Sequence, residues 1–142
     1  MKDSRNLSLG QHIARILLGL GLAFAGVGHL SWSRTEFLAQ VPDWIPLSGD
    51  LVVVLSGIVE IILGLSLLFL FRQRAIVGWV VAAFFVAVFP GNISQWVNHR
   101  NGFGLDTDQA RLIRLLFQPL LVIWTLWSTG AWQQWRNRKQ LN

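Results

Sequence analysis

A set of polar side chains lies inside otherwise apolar stretches of this sequence, and these are the groups that could do chemistry. They comprise one imidazole, one carboxylate, two guanidinium groups and three amides: His29, Glu60, Asn92, Gln95, Arg111, Arg114 and Gln118. Such groups are costly in apolar surroundings unless they are paired or used. They could line a pocket for a small molecule or a quinone, or form a proton path. They could equally satisfy one another and only fix the packing of helices, and the residue types alone leave both interpretations open.

Several other chemistries are not expected. The chain has no cysteine, which excludes structural disulfides, thiolate metal sites and dithiol redox chemistry by the protein itself. Its three histidines, His12, His29 and His99, show no spacing typical of a metal site, so no metal is predicted. No pairing of a nucleophile with a base stands out. The sequence therefore assigns no catalytic residue and leaves open whether the protein is an enzyme.

The elements that must position these groups are predicted from four apolar runs. The 142 residues are 53% hydrophobic and only 13% charged, whereas an average soluble domain is about a quarter charged. Since about 20 apolar residues cross the hydrocarbon core of a bilayer, membrane helices are expected at about 12–30, 51–71, 75–97 and 110–132. The fold class predicted is all-α, a four-helix transmembrane bundle forming a single domain over 1–142. A cleaved signal peptide is the alternative for the first run, but Arg15 interrupts it.

The distribution of charge predicts an orientation. Basic residues cluster at 2–5, 72–74 and 136–139, whereas the loops at 31–50 and 98–110 are acidic on balance. The positive-inside rule then places both termini in the cytoplasm and the two acidic loops outside, in the cytoplasmic (inner) membrane if the source is bacterial. Membrane insertion accounts for the net charge of +5, so the expected partner is the lipid bilayer and not nucleic acid. Tryptophans near the predicted interfaces fit an aromatic belt: Trp32, Trp44 and Trp96 outside, Trp132 and Trp135 inside.

The first outer loop contains a helix signal. Ser33 and Glu36 have the spacing of a capping box, so a short helix is predicted over 33–40, ended by Pro42 and Pro46. Its apolar residues suit an element lying on the membrane surface. The loop is therefore either an interfacial anchor or a lid over a site between the helices.

Small and polar residues recur at helical spacing along each span, which predicts that these faces point into the bundle. The four stripes are Arg15, Gly19, Leu22, Gly26 and His29; Ser56, Gly57, Glu60 and Gly64; Asn92, Gln95 and His99; and Arg111, Arg114, Gln118, Leu121, Thr125 and Ser128. From the rise of a helix, Glu60 is expected near the floor of a cluster that opens outwards, with Arg114 as its ion-pair partner.

Short segments in a characteristic order add a family resemblance. They are AGVGHL at 25–30, PDWIP at 42–46, LSGIVEIILG at 55–64, VAVFPGNI at 86–93 and RLIRLLFQ at 111–118. Over about residues 13–132 the chain resembles the DoxX-like family of small four-helix membrane proteins. The positions that match the family pattern are Gly26, His29, Pro42, Pro46, Gly57, Glu60, Gly64, Pro90, Asn92, Arg111, Arg114 and Gln118.

The resemblance implies one function and leaves another open. The family takes its name from a subunit associated with thiosulfate and quinone oxidation, which implies a membrane subunit that binds quinone or another lipophilic molecule for an oxidoreductase partner. A related branch uses cysteines for redox work, and this chain has none. The alternative is a non-catalytic assembly or chaperone-like membrane protein whose polar cluster is structural. A homo-oligomer is compatible with either function.

The charge pattern generates a prediction about topology. Reporter fusions after Arg74 and at the C-terminus should report the cytoplasm, and fusions within 98–106 should report the outside, because positive residues flank the cytoplasmic ends of membrane helices. A single fusion reporting the opposite side would exclude this topology.

Overall fold

The computed structural model describes residues 6–102 and 104–142, all of whose regular structure is helical. The basic residues Lys2 and Arg5, on which the orientation partly rests, lie outside the described residues. The helices are α1 (Leu9–Leu30), α2 (Arg34–Leu38), α3 (Gly49–Phe69), α4 (Arg74–Ala87), α5 (Phe89–Val97), α6 (Asp108–Ser128) and α7 (Ala131–Gln140), with one 3-10 turn at Phe71–Gln73.

The described part of the chain contains four spans that are long and apolar enough to cross a membrane: Leu9–Leu30, Gly49–Phe69, Phe71–Val97 and Asp108–Ser128. Their outward faces expose large apolar side chains along the whole length of the bundle, as a lipid-facing surface requires, including Leu20, Phe24, Ile62, Leu116 and Ile123. The predicted all-α bundle with a short additional helix in the first long loop is confirmed. The protein is a small multi-pass membrane protein in contact with the bilayer.

Consecutive spans run in opposite directions, which gives the bundle two distinct ends. The loop end carries residues 31–48, 98–102 and 104–107, and the terminal end carries residues 70–73 and α7. The packed apolar core lies between the ends and includes Leu22, Leu67, Val81 and Phe85.

Helices α1 and α3 pack through glycines on both partners. A Cβ added at Gly26 would lie 2.6 Å from the carbonyl oxygen of Gly57, and one added at Gly64 would lie 2.6 Å from the carbonyl oxygen of Gly19. Contacts this short allow no side chain, so the two backbones touch directly, as small residues permit in membrane helices. The stripes predicted on these two helices therefore face each other.

The third span is broken into α4 and α5 at Val88. Pro90 has no N–H to donate to the carbonyl of Val86, so the helical hydrogen-bond pattern cannot continue through it. The proline instead sits in the first turn of α5, where a missing donor costs nothing. A continuous helix over 75–97 is thus replaced by two shorter helices within one span.

At the terminal end, polar side chains from α1 satisfy the last carbonyls of other helices. The buried guanidinium of Arg15 donates to the carbonyl of Leu67 near the end of α3 and lies 5.3 Å from the ring of Phe71. Gln11 donates to the carbonyl of Trp127 at 2.7 Å, near the end of α6. The last carbonyls of a helix lack helical partners and carry partial negative charge, which explains a buried arginine at this position.

Two local predictions are corrected by the structure. Helix α2 is present, but Ser33 makes no side-chain cap, because its backbone (φ −108, ψ 12) lies in a turn and not in the extended conformation that a cap requires. The fourth helix does not run on to residue 132: it ends at Ser128, and Gly130, with φ 71, turns the chain into α7. Glycine tolerates that left-handed conformation without cost.

The glycine contacts predict that two glycine-to-alanine substitutions within α1 differ in their effect on stability. Gly26→Ala should lower the free energy of unfolding by about 1–3 kcal/mol, because the added methyl group forces α1 and α3 apart. Gly21→Ala is the control, since a Cβ there meets nothing within 4 Å. Titration with SDS in mixed micelles measures both. Equal effects of the two substitutions would show that the close packing of α1 and α3 does not determine the free energy of unfolding.

Candidate functional site

A cavity of about 270 Å³ lies between the helices towards the loop end. One wall comes from α1 and α3, the opposite wall from α4, α5 and α6, and residues of the 37–45 segment close it from above. Of the polar residues predicted from sequence, the lining includes His29, Glu60, Asn92, Arg114 and Gln118. The rest of the lining is mostly apolar.

The α1–α3 wall presents an imidazole and a carboxylate side by side. His29 is only 6% exposed, and its Nδ1 lies 3.2 Å from the carbonyl oxygen of Val53. Its Nε2 lies 3.2 Å from Oε2 of Glu60, whose side chain is 13% exposed. Among the described residues neither Nε2 nor Oε2 has a partner in hydrogen-bond geometry. A buried polar atom without a hydrogen bond costs about 1–3 kcal/mol, so this pair lowers the stability of the folded protein.

The opposite wall is a satisfied amide network. Nε2 of Gln118 donates to the carbonyl of Phe85 at 2.8 Å, in the last turn of α4 just before the break. The side-chain oxygen of Gln118 accepts from Nδ2 of Asn92 and from Nη1 of Arg114, each at 3.2 Å. Asn92 and Gln118 are therefore used in holding α4, α5 and α6 together, and Gln118 also positions the guanidinium of Arg114.

Among the described residues Glu60 and Arg114 form no direct salt bridge, although their two charges are close enough to interact. Within the described part of the chain, the basic group beside Glu60 is His29, and the hydrogen bond of Arg114 goes to Gln118. The reason is the pairing of helices: glycine contacts turn Glu60 towards α1, while α6 packs on α4 and α5. The two charged side chains lie on opposite walls of the cavity.

Two further predicted residues, Gln95 and Arg111, are buried outside this lining and hold the loops together. The Arg111 guanidinium donates to the carbonyl of Arg100 at 2.9 Å and to the side chains of Asn101 and Asp108 at 2.5 and 2.8 Å. Gln95 donates to the same carbonyl of Arg100 at 3.3 Å. His99, expected on an inward face, is exposed and pairs with Asp108, because α5 has already ended at Val97.

The 37–45 segment forms a roof over the cavity, and it is fastened to α5 and to the second loop. The ring of Phe37 packs against the imidazole of His29, and Nε2 of Gln40 donates to Gln95 at 3.2 Å. The backbone carbonyl of Gln40 lies so close to Gly91 that no Cβ fits there. A second fastening comes from Arg100, which donates to the carbonyl of Val41 at 2.8 Å and pairs with Asp43 at 2.5 Å. These contacts hold the 37–45 segment over the cavity.

An apolar groove of about 380 Å³ adjoins the cavity on the outer surface of α4, α5 and α6. Its lining consists of Phe85, Val86, Phe89, Gln118, Pro119, Val122 and Ile123. Phe85 and Gln118 line both the groove and the cavity, so their side chains lie between the polar interior and the lipid-facing surface.

Sequence reasoning missed the residues that hold the roof. Phe37, Gln40 and Arg100 lie in loops or in a short helix, where periodicity carries no information about contacts. The signal that was available is Gly91, directly after Pro90, since a glycine in the first turn of a helix often marks a close backbone approach.

The fold and cavity define a class: a small α-helical membrane protein with a partly charged pocket beneath a fastened loop. The chain matches the family described as a domain of unknown function, DUF8561, over residues 18–129. It belongs to that family, whose match covers the last three spans and residues 18–30 of the first. The family shown is therefore this one, and the DoxX-like assignment expected from sequence is not supported. A search of curated proteins and a search of solved structures each find no match to this chain.

The roof contact generates a prediction. Gly91→Ala should push the Gln40 carbonyl away from α5 and loosen the 37–45 segment, because helix backbone and loop backbone cannot both keep their places. Hydrogen exchange in lipid nanodiscs should become at least tenfold faster in this segment, with α1 and α3 unchanged. Gly10→Ala, whose Cβ would meet only ordinary contacts at 3.9 Å, is the control. Unchanged exchange in Gly91→Ala would show that the roof is held elsewhere.

Proposed function

We propose that this protein binds a small lipophilic molecule with a polar head group in the loop-end cavity, and that quinones are the ligand class. The observation that carries the proposal is the pair of buried, unpartnered atoms, Nε2 of His29 and Oε2 of Glu60, on the wall of a cavity. A membrane protein that needed these groups only for packing would gain by pairing them.

The cavity suits one polar ring. Its volume of about 270 Å³ is just below the roughly 300–1,000 Å³ of pockets that hold drug-sized ligands, which fits a head group and not a whole long-chain lipid. The guanidinium of Arg114 offers donors to a carbonyl oxygen on one side, and Glu60 with His29 faces the other side. Apolar lining residues such as Val52, Val88 and Leu121 would cover the faces of a ring.

The adjoining groove supports a lipophilic ligand in particular. It borders the cavity through Phe85 and Gln118 and opens to the lipid-facing surface. A hydrocarbon tail attached to a head group in the cavity would lie along Val122 and Ile123. The ligand would thus enter from the bilayer, where lipophilic molecules are concentrated.

The resemblance to DoxX-like proteins supports the choice of quinones and of a membrane oxidoreductase as partner. The orientation proposed from charge places the cavity near the outer face of the cytoplasmic membrane. Charge pairing supports that orientation: at the loop end Arg34 pairs with Asp50, and Arg100 pairs with Asp43. At the terminal end the cationic side chain of Lys139 lies 4.2 Å from the ring of Trp135. An excess of Lys and Arg is typical of the cytoplasmic side, whereas tryptophan occurs at both interfaces.

A second candidate function is favoured by a different observation. The side chains of Asn92 and Gln118 bond to each other, and Gln118 also bonds to the carbonyl of Phe85, as expected of a polar cluster that only holds helices together in a non-catalytic assembly protein. This account explains the α4–α5–α6 wall well. It leaves the unpartnered pair on the α1–α3 wall without a purpose.

Ligand binding is the test of the proposed function. A benzoquinone with a decyl tail and the corresponding benzoquinol should both bind to the protein in nanodiscs. Arg114→Gln should weaken the binding of both compounds about tenfold or more, and His29→Gln should weaken that of the quinol by a similar factor. A tenfold loss corresponds to about 1.4 kcal/mol, the scale of one hydrogen bond to a charged or buried group. His99→Gln is the matched control, since that histidine is exposed and its side chain lies outside the cavity.

Mass spectrometry of lipids that copurify with the native protein provides a second measurement. A prenylated or alkylated ring compound enriched in the wild type, and lost in Ile123→Trp, would support both cavity and groove. Absence of quinone binding, together with a clear loss of stability in His29→Gln and Arg114→Gln, would favour a structural cluster.

A further inference from the structure

The tautomer of His29 is fixed by its neighbour. The carbonyl oxygen of Val53 can only accept, so the Nδ1 that lies 3.2 Å from it carries the hydrogen. In the neutral imidazole, Nε2 then has a lone pair and no hydrogen. It faces Oε2 of Glu60, which as a carboxylate oxygen is also an acceptor, at 3.2 Å. When Glu60 is ionised, two acceptors therefore face each other, and a single hydrogen supplied from outside would serve either of them.

The charges facing this pair can be named helix by helix. Helix α1 contributes His29, α3 contributes Glu60 and α6 contributes Arg114, while α5 contributes the neutral Asn92 and α4 contributes none. Charged residues near the roof neutralise one another on the loop side, as Arg34 with Asp50 and Arg100 with Asp43. With His29 neutral and Glu60 ionised, the cavity therefore holds one negative and one positive charge on opposite walls.

We propose that the His29–Glu60 pair is a proton acceptor for a weakly acidic hydroxyl on the ligand head group, so that the ligand binds as an oxyanion beside Arg114. This inference rests on the proposed function and narrows its ligand class to phenols, quinols and hydroxyquinones. A plain quinone carbonyl brings no hydrogen and leaves the pair unsatisfied.

The transfer balances in atoms and charge. The O–H bond of the ligand breaks and its electron pair stays on the ligand oxygen. The hydrogen forms a new bond to Nε2 of His29 or to Oε2 of Glu60, and the negative charge moves from that pair to the ligand. No oxidant or reductant is needed, and the total charge in the cavity does not change.

The arrangement favours the oxyanion for an electrostatic reason. Gln118 holds the guanidinium of Arg114 through its side-chain oxygen at 3.2 Å, on the wall opposite Glu60. A ligand oxygen lying between the walls approaches that cation more closely than Glu60 does. Coulomb attraction grows as distance and effective dielectric constant fall, so the negative charge is better placed on the ligand than on the carboxylate.

A chromophoric phenol tests this inference. The probe is a nitrophenol with a nonyl tail, whose phenolate absorbs in the visible range and whose neutral phenol does not. In nanodiscs that contain the protein, the bound probe should become phenolate at a pH at least one unit below its midpoint in empty nanodiscs. Arg114→Gln should return the midpoint to that of empty nanodiscs or above it, because the cation beside the oxyanion is lost. Glu60→Asp should keep part of the shift, and His99→Gln should keep all of it.

The outcomes separate this inference from the proposed function. Probe bound to wild-type protein with an unchanged or raised midpoint would overturn proton acceptance and leave ligand binding intact. Binding of decyl-benzoquinone without binding of the nitrophenol would overturn the acidic ligand class alone. Binding of neither compound would overturn the proposed function as well. The decisive measurement uses the wild-type protein, so a negative result cannot be attributed to misfolding of a variant.

Discussion

The direct contact between the backbones of α1 and α3 is the constraint on which the rest of the structure depends. Glycines at 19, 26, 57 and 64 leave no room for a Cβ, so the helices cannot rotate or slide without a clash. This contact turns His29 and Glu60 towards the same side, at a separation that only two touching helices allow. It also takes α3 away from α6, so that a space remains between two well-packed groups of helices. The cavity is a consequence of that division.

Much of the fold was predictable because a bilayer restricts what a sequence can do. Apolar runs of about 20 residues have few alternatives to membrane helices, and polar groups within them must turn away from lipid. The stripe on α1 shows this clearly: Arg15, Gly19, Gly26 and His29 are all buried. The break in the third span was harder to predict from the sequence, because a proline such as Pro90 can either kink a span or divide it. Tertiary contacts at Gly91 decide which of the two occurs.

The partners of the buried groups were not predictable from periodicity. A stripe tells which face of a helix points inward, but it does not tell which helix lies opposite. Estimated depth paired Glu60 with Arg114, whereas glycine packing pairs it with His29. The same limit applies to Gln95 and Arg111: their burial follows from the stripes, but their use in joining loops depends on the path of residues 98–107. Contacts between loops leave almost no trace in a single sequence.

The two walls of the cavity differ in whether their polar groups have hydrogen-bond partners, and this difference distinguishes a structural role from a functional one. On the α4–α5–α6 wall each amide has a partner, and Gln118 compensates a carbonyl at the end of α4. On the α1–α3 wall the hydrogen-bonding capacity of Nε2 of His29 and of Oε2 of Glu60 is unused. The ring of Phe37 restrains the imidazole from above, and the hydrogen bond to Val53 restrains it from the side. The imidazole is thereby fixed in an orientation that satisfies neither itself nor Glu60. Such restraint lowers the stability of the free protein. It is physically reasonable only if a ligand that enters the cavity hydrogen-bonds to these atoms and so recovers the lost free energy.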